Sequence, residues 1–288
     1  MEQELAIAGA PHSPAKREAS QRQGRAADPS SRKGGRVVAY MVSLVFLAVA
    51  YAVAQPSGNR NAFTLALIAA SLVTLLGAIG STLSGRLSGV LVTKRNLMSL
   101  SRFQSVLWTV IILAGFGTLA FIRLKGGDAK ALDVSIEWPL WALIGISTTS
   151  LVGTPLLLST KTGKEPGQQA AEKAARLTGE AATAVEQNRE GTLYANENAK
   201  DARFEDMFQG DEVGNTGHLD LAKVQMFFFT LVAAVVYCAS LVKIVTAGQP
   251  GTSALPTLSE GFIAMMGISH AGYLVNKAVD HTPRRTDG

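Results

Sequence analysis

Six long stretches without a charged residue divide the chain. They run over Val37–Ala54, Ala62–Gly85, Phe103–Ile122, Trp138–Thr160, Val224–Val242 and Gly261–Asn276. A helix needs about 20 residues to cross the apolar core of a bilayer, which is about 30 Å thick. Inside lipid the backbone must satisfy its own hydrogen bonds, which favours helices for such runs. The pattern predicts an all-α membrane protein with about six transmembrane helices. The last run is short, so it either spans fully or is re-entrant.

A motif occurs twice and indicates an internal repeat. A cation is followed two residues later by glutamine and seven residues later by threonine, as Arg102, Gln104 and Thr109 and again as Lys223, Gln225 and Thr230. Each copy is followed by a Gly-Ile-Ser segment, at 145–147 and at 267–269. The two glutamines are 121 residues apart and the two glycines 122 residues apart, so both motifs belong to one duplicated unit. Each copy enters the membrane from the same side. We therefore expect two parallel two-helix repeats after an N-terminal helix pair.

These features divide the chain into six parts. They are a disordered basic tail (1–36), an N-terminal transmembrane helix pair with its cytosolic loop (37–102), repeat 1 (103–160), a partly helical cytosolic segment (161–223), repeat 2 (224–277) and a cytosolic tail (278–288). Val37–Ala54 ends in a small-residue pattern like a signal-peptide cleavage site, but its length favours a retained helix.

The basic residues are distributed unevenly along the chain. The formal net charge is +5, and 22 of the 27 Lys and Arg residues fall on one side of the membrane if the N-terminus is cytoplasmic. Such a bias sets orientation and attracts anionic lipid. We predict that both termini are cytoplasmic, that anionic lipid is bound at the cytosolic face, and that nucleic acid is not a partner.

No enzyme motif is found in the sequence. It contains no phosphate-binding glycine loop, no His-Glu-x-x-His, no paired cysteines and no Gly-x-Ser-x-Gly. We predict no catalytic residue, cofactor or metal site. The acids at 206, 211, 212 and 220 do not fit the calcium-loop pattern and are interpreted as a solvated face. Asp220 is expected to cap the helix that follows it.

The repeated polar segments are the candidate site. Small and hydroxylated residues lie near the middle of their helices, and glutamines lie at the helix entrances: Gly145, Ser147, Thr148, Gly267, Ser269, His270, Gln104 and Gln225. Glycine-interrupted segments at matching positions of two halves point to a binding site or pore in transporters. Small residues also allow close helix packing. Both interpretations are retained.

The 161–223 segment contains two further features. Residues 166–190 predict an exposed helix with too few large apolar residues to form a core. Phe204, Met207 and Phe208 share one helical face, which predicts contact with the membrane surface, neighbouring helices or a cytosolic partner.

The repeated Arg/Lys-x-Gln…Thr and Gly-Ile-Ser motifs resemble those of bacterial polytopic inner-membrane proteins that have no assigned activity. The resemblance covers roughly residues 86–280 and implies a bacterial cytoplasmic membrane location, without catalytic residues. Two functions are predicted as alternatives. One is a homo-oligomeric channel or transporter for ions or small solutes. The other is a structural, assembly or signalling protein that anchors the 161–220 segment for a cytosolic partner.

Overall fold

A computed structural model describes residues 29–56, 58–167, 169–247 and 254–283, and these residues form helices and no strands. The α-helices among the described residues are α1 (Pro29–Val53), α2 (Arg60–Ser84), α3 (Leu100–Lys125), α4 (Trp138–Ser159), α5 (Ala170–Thr178), α6 (Ala182–Asn188), α7 (Leu221–Ala247) and α8 (Glu260–Ala278). Short 3₁₀ helices lie at Leu87–Leu91, Ala199–Asp201 and Phe204–Met207. Of the described residues, 29–38 belong to a separate short unit, and the main unit begins at Ala39.

Within the described residues, four helices are long and apolar enough to cross a membrane, namely α2, α3, α4 and α7. The all-α membrane class predicted from the sequence is therefore supported. The apolar part of α1, Val37–Val53, is shorter, and α8 is not among the four, so a total of six spans is not confirmed. Helix α1 begins at Pro29, within the expected N-terminal tail, and residues 1–28 of that tail lie outside the described residues.

Side chains just before the helices determine where three of them begin. Asp220 accepts hydrogen bonds from the backbone N–H groups of Ala222 (3.0 Å) and Lys223 (3.2 Å), so the predicted cap of α7 is confirmed. Ser99 and Ser259 do the same at the starts of α3 and α8. These oxygens satisfy backbone donors that have no partner within the helix.

Helix α3 is central in the main unit, where it contacts α2, α4 and α7, while α8 packs against α4 and α7. The core between these helices includes Trp108, Leu119, Leu143, Tyr237 and Met266. Helices α1 and α2 are joined by hydrogen bonds between Ser43 and Ser71 of 2.8–3.0 Å.

The 161–220 segment differs from the expected exposed helix. It contains the two short helices α5 and α6, whose inner faces are buried in a small core. The members of that core are small or aliphatic residues of the segment, a tyrosine and one leucine from the loop before α3: Ala170, Ala171, Ala174, Val185, Tyr194, Val213 and Leu97. The prediction that this segment forms no core was wrong, because alanines pack closely and because Leu97 comes from a distant part of the chain. The segment thereby folds onto the 92–99 loop.

Candidate functional site

The two Gly-Ile-Ser segments lie on α4 and α8, which pack against each other. Ser150 Oγ and His270 Nδ1 are 2.7 Å apart in a buried hydrogen bond. One helical turn along, Thr154 Oγ1 donates to Tyr273 Oη at 3.1 Å. The hydroxyl oxygens of Ser147 and Ser269 are buried and have no hydrogen-bond partner in the described part of the chain. The structure thus brings the serine of each repeat and His270 into one helix–helix interface.

The other members of these segments are placed differently. Gly145 and Thr148 are exposed on the outer face of α4. Gly267 is half-buried, and a Cβ built there would make an ordinary contact of 3.8 Å with Ile146, so the packing at this position does not require glycine.

The two repeated glutamines occupy different environments. Gln104 is fully buried, and its Nε2 donates to Thr230 Oγ1 of the second repeat. Gln225 is exposed, as is Thr109, the partner that symmetry would give it. Gln104 Nε2 also donates to the backbone carbonyl of Met226 at 3.4 Å, so the repeat joins α3 to α7 through Gln104 and not through a symmetric pair of glutamines.

The three apolar residues predicted on one face lie near the start of α7. Met207 is buried with Leu100, Met226 and Tyr273, whereas Phe204 is 51% exposed. Phe204 and Phe208 also contact each other, with ring centroids 5.3 Å apart. One of the three is therefore a core residue, and Phe204 provides the exposed aromatic surface.

The acidic residues were wrongly interpreted as a solvated face. Asp206 and Glu212 are buried, and the carboxylate of Glu212 accepts hydrogen bonds from Lys161 Nζ (2.6 Å) and from the backbone N–H groups of His281 and Thr282 (both 3.0 Å). The C-terminal residues and the end of α4 provide these donors, which local sequence does not reveal.

Asp211 binds three buried cations at once. Arg95 Nη2 donates to its Oδ1 at 2.8 Å, and Lys223 Nζ lies 3.0 Å from its Oδ2. Lys277 Nζ forms an ion pair with the same Oδ2 atom. The cationic side chains are 3–5% exposed and Asp211 is 15% exposed. We call these four residues the Asp211 cluster.

The Asp211 cluster lines a cavity of about 250 Å³ where α3 and α7 begin and α4 and α8 end. Two more cations, Lys94 and Arg102, and one more carboxylate, Asp206, line it too. Its other walls are formed by apolar residues and hydroxyl groups, among them Leu151, Pro155, Leu158, Thr93, Ser101 and Tyr273. None of the predicted pore or binding residues is among its lining.

Charge in this cavity is unbalanced towards the positive. Asp206 accepts hydrogen bonds from the backbone N–H groups of Met98 (3.1 Å) and Arg203 (2.8 Å) and from the side chain of Gln209 (3.1 Å), so neutral donors occupy its carboxylate. Burial raises the pKa of Asp206 above its ordinary value. Burial lowers the pKa of Arg95 to about 10, which still leaves it charged at neutral pH. Arg95, Lys223 and Lys277 share the carboxylate of Asp211. Backbone carbonyls accept further hydrogen bonds from Arg95 Nη1 and Lys223 Nζ.

Such an arrangement is suited to binding an anion. Buried charges are costly unless they are paired, and ammonium and guanidinium groups each have several donors for oxyanions. Thr93 Oγ1, which is buried without a hydrogen-bond partner in the described residues, belongs to a residue that lines the same cavity. A metal cation would be repelled by this charge distribution.

Part of this site has a signal in the sequence. Arg102 and Lys223 are the cations of the repeated motif, and both line the cavity. In the sequence these charges indicate membrane orientation, and the glutamines that follow them were predicted as site residues instead. Arg95 and Lys277 lie in no motif, so sequence alone did not select them.

Comparisons with protein-family models, with curated proteins and with solved structures find nothing that matches this chain. The resemblance drawn from the repeated motifs therefore stays a prediction. Support for a function comes from the geometry of the Asp211 cluster and its cavity.

Proposed function

We propose that this membrane protein binds a small anion, or the anionic part of a larger ligand, in the cavity of the Asp211 cluster. The observation that supports this is the sharing of one carboxylate by Arg95, Lys223 and Lys277, all of them buried. Removing a charge from water without full pairing is costly, so an anion entering the cavity would relieve an existing electrostatic cost. Hydrogen bonds to charged groups contribute about 1.5–3 kcal/mol each.

The topology is part of the proposal. We propose that α1 and α8 cross the bilayer together with the four long apolar helices, with both termini cytoplasmic in a bacterial inner membrane. The uneven distribution of Lys and Arg supports this orientation, and it places the cavity at the cytoplasmic boundary. Homo-oligomerisation and a cytosolic partner for residues 161–220 stay predictions.

Binding can be measured by thermal denaturation of the purified protein in neutral detergent. Inorganic phosphate or sulfate is titrated, with chloride at matched ionic strength as the control. We expect a saturable rise in Tm with phosphate, because a ligand that binds the folded state stabilises it. Lys277→Met should weaken phosphate binding by about 10–100-fold, since one charged donor is lost. Asp211 retains Arg95 and Lys223 in this variant, so folding is expected to survive.

The matched control is Lys130→Met, because Lys130 is an exposed cation in the loop between α3 and α4. Its phosphate response should equal that of the wild type. Equal responses of Lys277→Met and wild type, or no response in either, would contradict the proposal.

A second candidate function is transport through the α4–α8 interface. It is favoured by the buried hydroxyls of Ser147 and Ser269, which have no hydrogen-bond partner among the described residues, because unsatisfied buried polar groups call for an explanation. Ser150, Thr154 and their partners on α8 continue this polar line to the cavity wall. Hydroxyls at such positions can replace part of the hydration shell of an ion.

Flux assays in liposomes test this candidate. We expect phosphate uptake by the wild type and at least a tenfold reduction in the double variant Ser147→Ala, Ser269→Ala. Thr148→Val is the control, because Thr148 faces outward from α4. Absence of flux in wild-type liposomes, with phosphate binding intact, would leave binding as the function and exclude phosphate transport.

A further inference from the structure

The cavity has two chemically different sides. The Asp211 cluster provides cations on one side, while α4 provides Leu151, Pro155 and Leu158 on the other. A small, fully hydrated anion would make no favourable contact with the apolar wall. An amphiphilic anion would contact both sides.

The apolar wall continues onto the outer surface of α4. Pro155 lines the cavity and is itself exposed, and its neighbours Val152 and Leu156 are 54% and 64% exposed. Helix α4 is one of the four helices long and apolar enough to cross a membrane. In a bilayer this surface would face lipid tails, so the cavity and the lipid would be joined by an apolar path.

The size of the cavity limits what can enter it. Sites that enclose a drug-sized ligand have volumes of about 300–1,000 Å³. The volume here is about 250 Å³. It suits a phosphate-bearing headgroup but not a whole lipid, whose chains would have to lie outside along α4.

The polar groups around the cavity match a phosphate. Its oxygens accept hydrogen bonds from ammonium, guanidinium and hydroxyl groups. The lining offers the cations together with the hydroxyl of Thr93, which has no hydrogen-bond partner among the described residues. Basic pockets between membrane helices at the cytoplasmic side are typical binding places for anionic lipid headgroups.

We infer that the ligand of the Asp211 cluster is an anionic phospholipid, with its phosphate in the cavity and its chains against the outer face of α4. This inference depends on the proposed anion binding and specifies the class of anion. The competing source of the same chemistry is free inorganic phosphate.

The test compares lipid and phosphate on the same purified protein. Native mass spectrometry counts bound phosphatidylglycerol and phosphatidylcholine after both are added in equal amounts to delipidated protein. Inorganic phosphate is titrated separately by its effect on Tm. We expect one strongly retained phosphatidylglycerol per chain, at least tenfold preferred over phosphatidylcholine, and a tenfold or larger loss in Lys277→Met.

A second variant separates the two sources. Leu151→Trp should fill the apolar path, lowering phosphatidylglycerol affinity at least tenfold while changing phosphate affinity less than twofold. Val235→Trp is its control, because Val235 is exposed on α7 and neither lines the cavity nor lies on α4. This control should retain lipid like the wild type.

Three results would overturn the inference. If phosphate binding depends on Lys277 but phosphatidylglycerol is not retained, the site takes a free anion and the proposed function still holds. If phosphatidylglycerol is retained equally in Lys277→Met and wild type, the lipid binds elsewhere on the surface. If neither ligand depends on Lys277, the proposed function fails as well.

Discussion

Asp211 competes with the proposed ligand for the same three cations, so Asp211→Asn should have two opposite effects. Without an anion, the variant leaves Arg95, Lys223 and Lys277 buried without their carboxylate. Removing one partner of a buried ion pair destabilises a protein by about 3–5 kcal/mol. With an anion, the ligand takes the place of the carboxylate, and its affinity should rise.

The size of the rescue can be calculated from linkage. A ligand at 100 times its Kd stabilises the folded state by about 2.7 kcal/mol. Phosphate at that level should therefore recover half or more of the loss in Asp211→Asn. A gain in affinity of tenfold or more over the wild type is expected, which corresponds to about 1.4 kcal/mol. The assay is denaturation in detergent at several phosphate concentrations.

Glu212→Gln is the matched control for this prediction. Glu212 is buried and paired with Lys161, but neither residue lines the cavity. Its loss of stability should be similar, because Lys161 is left buried without its carboxylate. Phosphate should restore Glu212→Gln no more than it stabilises the wild type. Equal rescue of both variants, or no rescue of Asp211→Asn, would refute the reasoning.

Two further predictions concern helix packing. Gln104→Leu removes the buried hydrogen bond to Thr230 and should lower the free energy of unfolding by about 1 kcal/mol. Gln225→Leu, at the exposed equivalent position, should change the free energy of unfolding by less than about 0.5 kcal/mol. Gly80→Ala should destabilise by about 1–3 kcal/mol, because its Cβ would lie 2.9 Å from the carbonyl oxygen of Leu87. Both are measured by denaturation in detergent, and a Gln225→Leu loss as large as that of Gln104→Leu would contradict the asymmetry.

The membrane helices were predictable because their signal is local. Each uncharged run lies largely within one helix of the structure, and Asp220 caps α7 as expected from its place before an apolar run. Length and composition decide these features within about 20 residues. Distant parts of the chain are not needed for the prediction.

The cationic cavity was not predictable in the same way. Arg95, Asp211, Lys223 and Lys277 come from four separate parts of the chain, and loop folding brings them together. A lysine near the end of an apolar run has the same local pattern whether it orients the protein or binds a ligand. The distribution of lysine and arginine along the sequence therefore indicated only the orientation of the chain in the membrane.

Repetition in the sequence also suggested more symmetry than the fold has. Gln104 is buried because α3 lies between α2, α4 and α7, whereas the corresponding face of α7 at Gln225 is exposed. Equivalent residues in a duplicated unit differ in burial when their helices have different neighbours. The cations of the two motif copies occupy similar places, since Arg102 and Lys223 both line the cavity.

The most direct measurement is an anomalous diffraction map of crystals of the delipidated protein soaked in selenate, a tetrahedral oxyanion like phosphate. We expect one anomalous peak in the cavity, within hydrogen-bond distance of Lys223, Lys277 or Arg95, and no such peak in Lys277→Met crystals. A cavity without a peak while selenate occupies other sites would contradict the claim that the Asp211 cluster binds an anion.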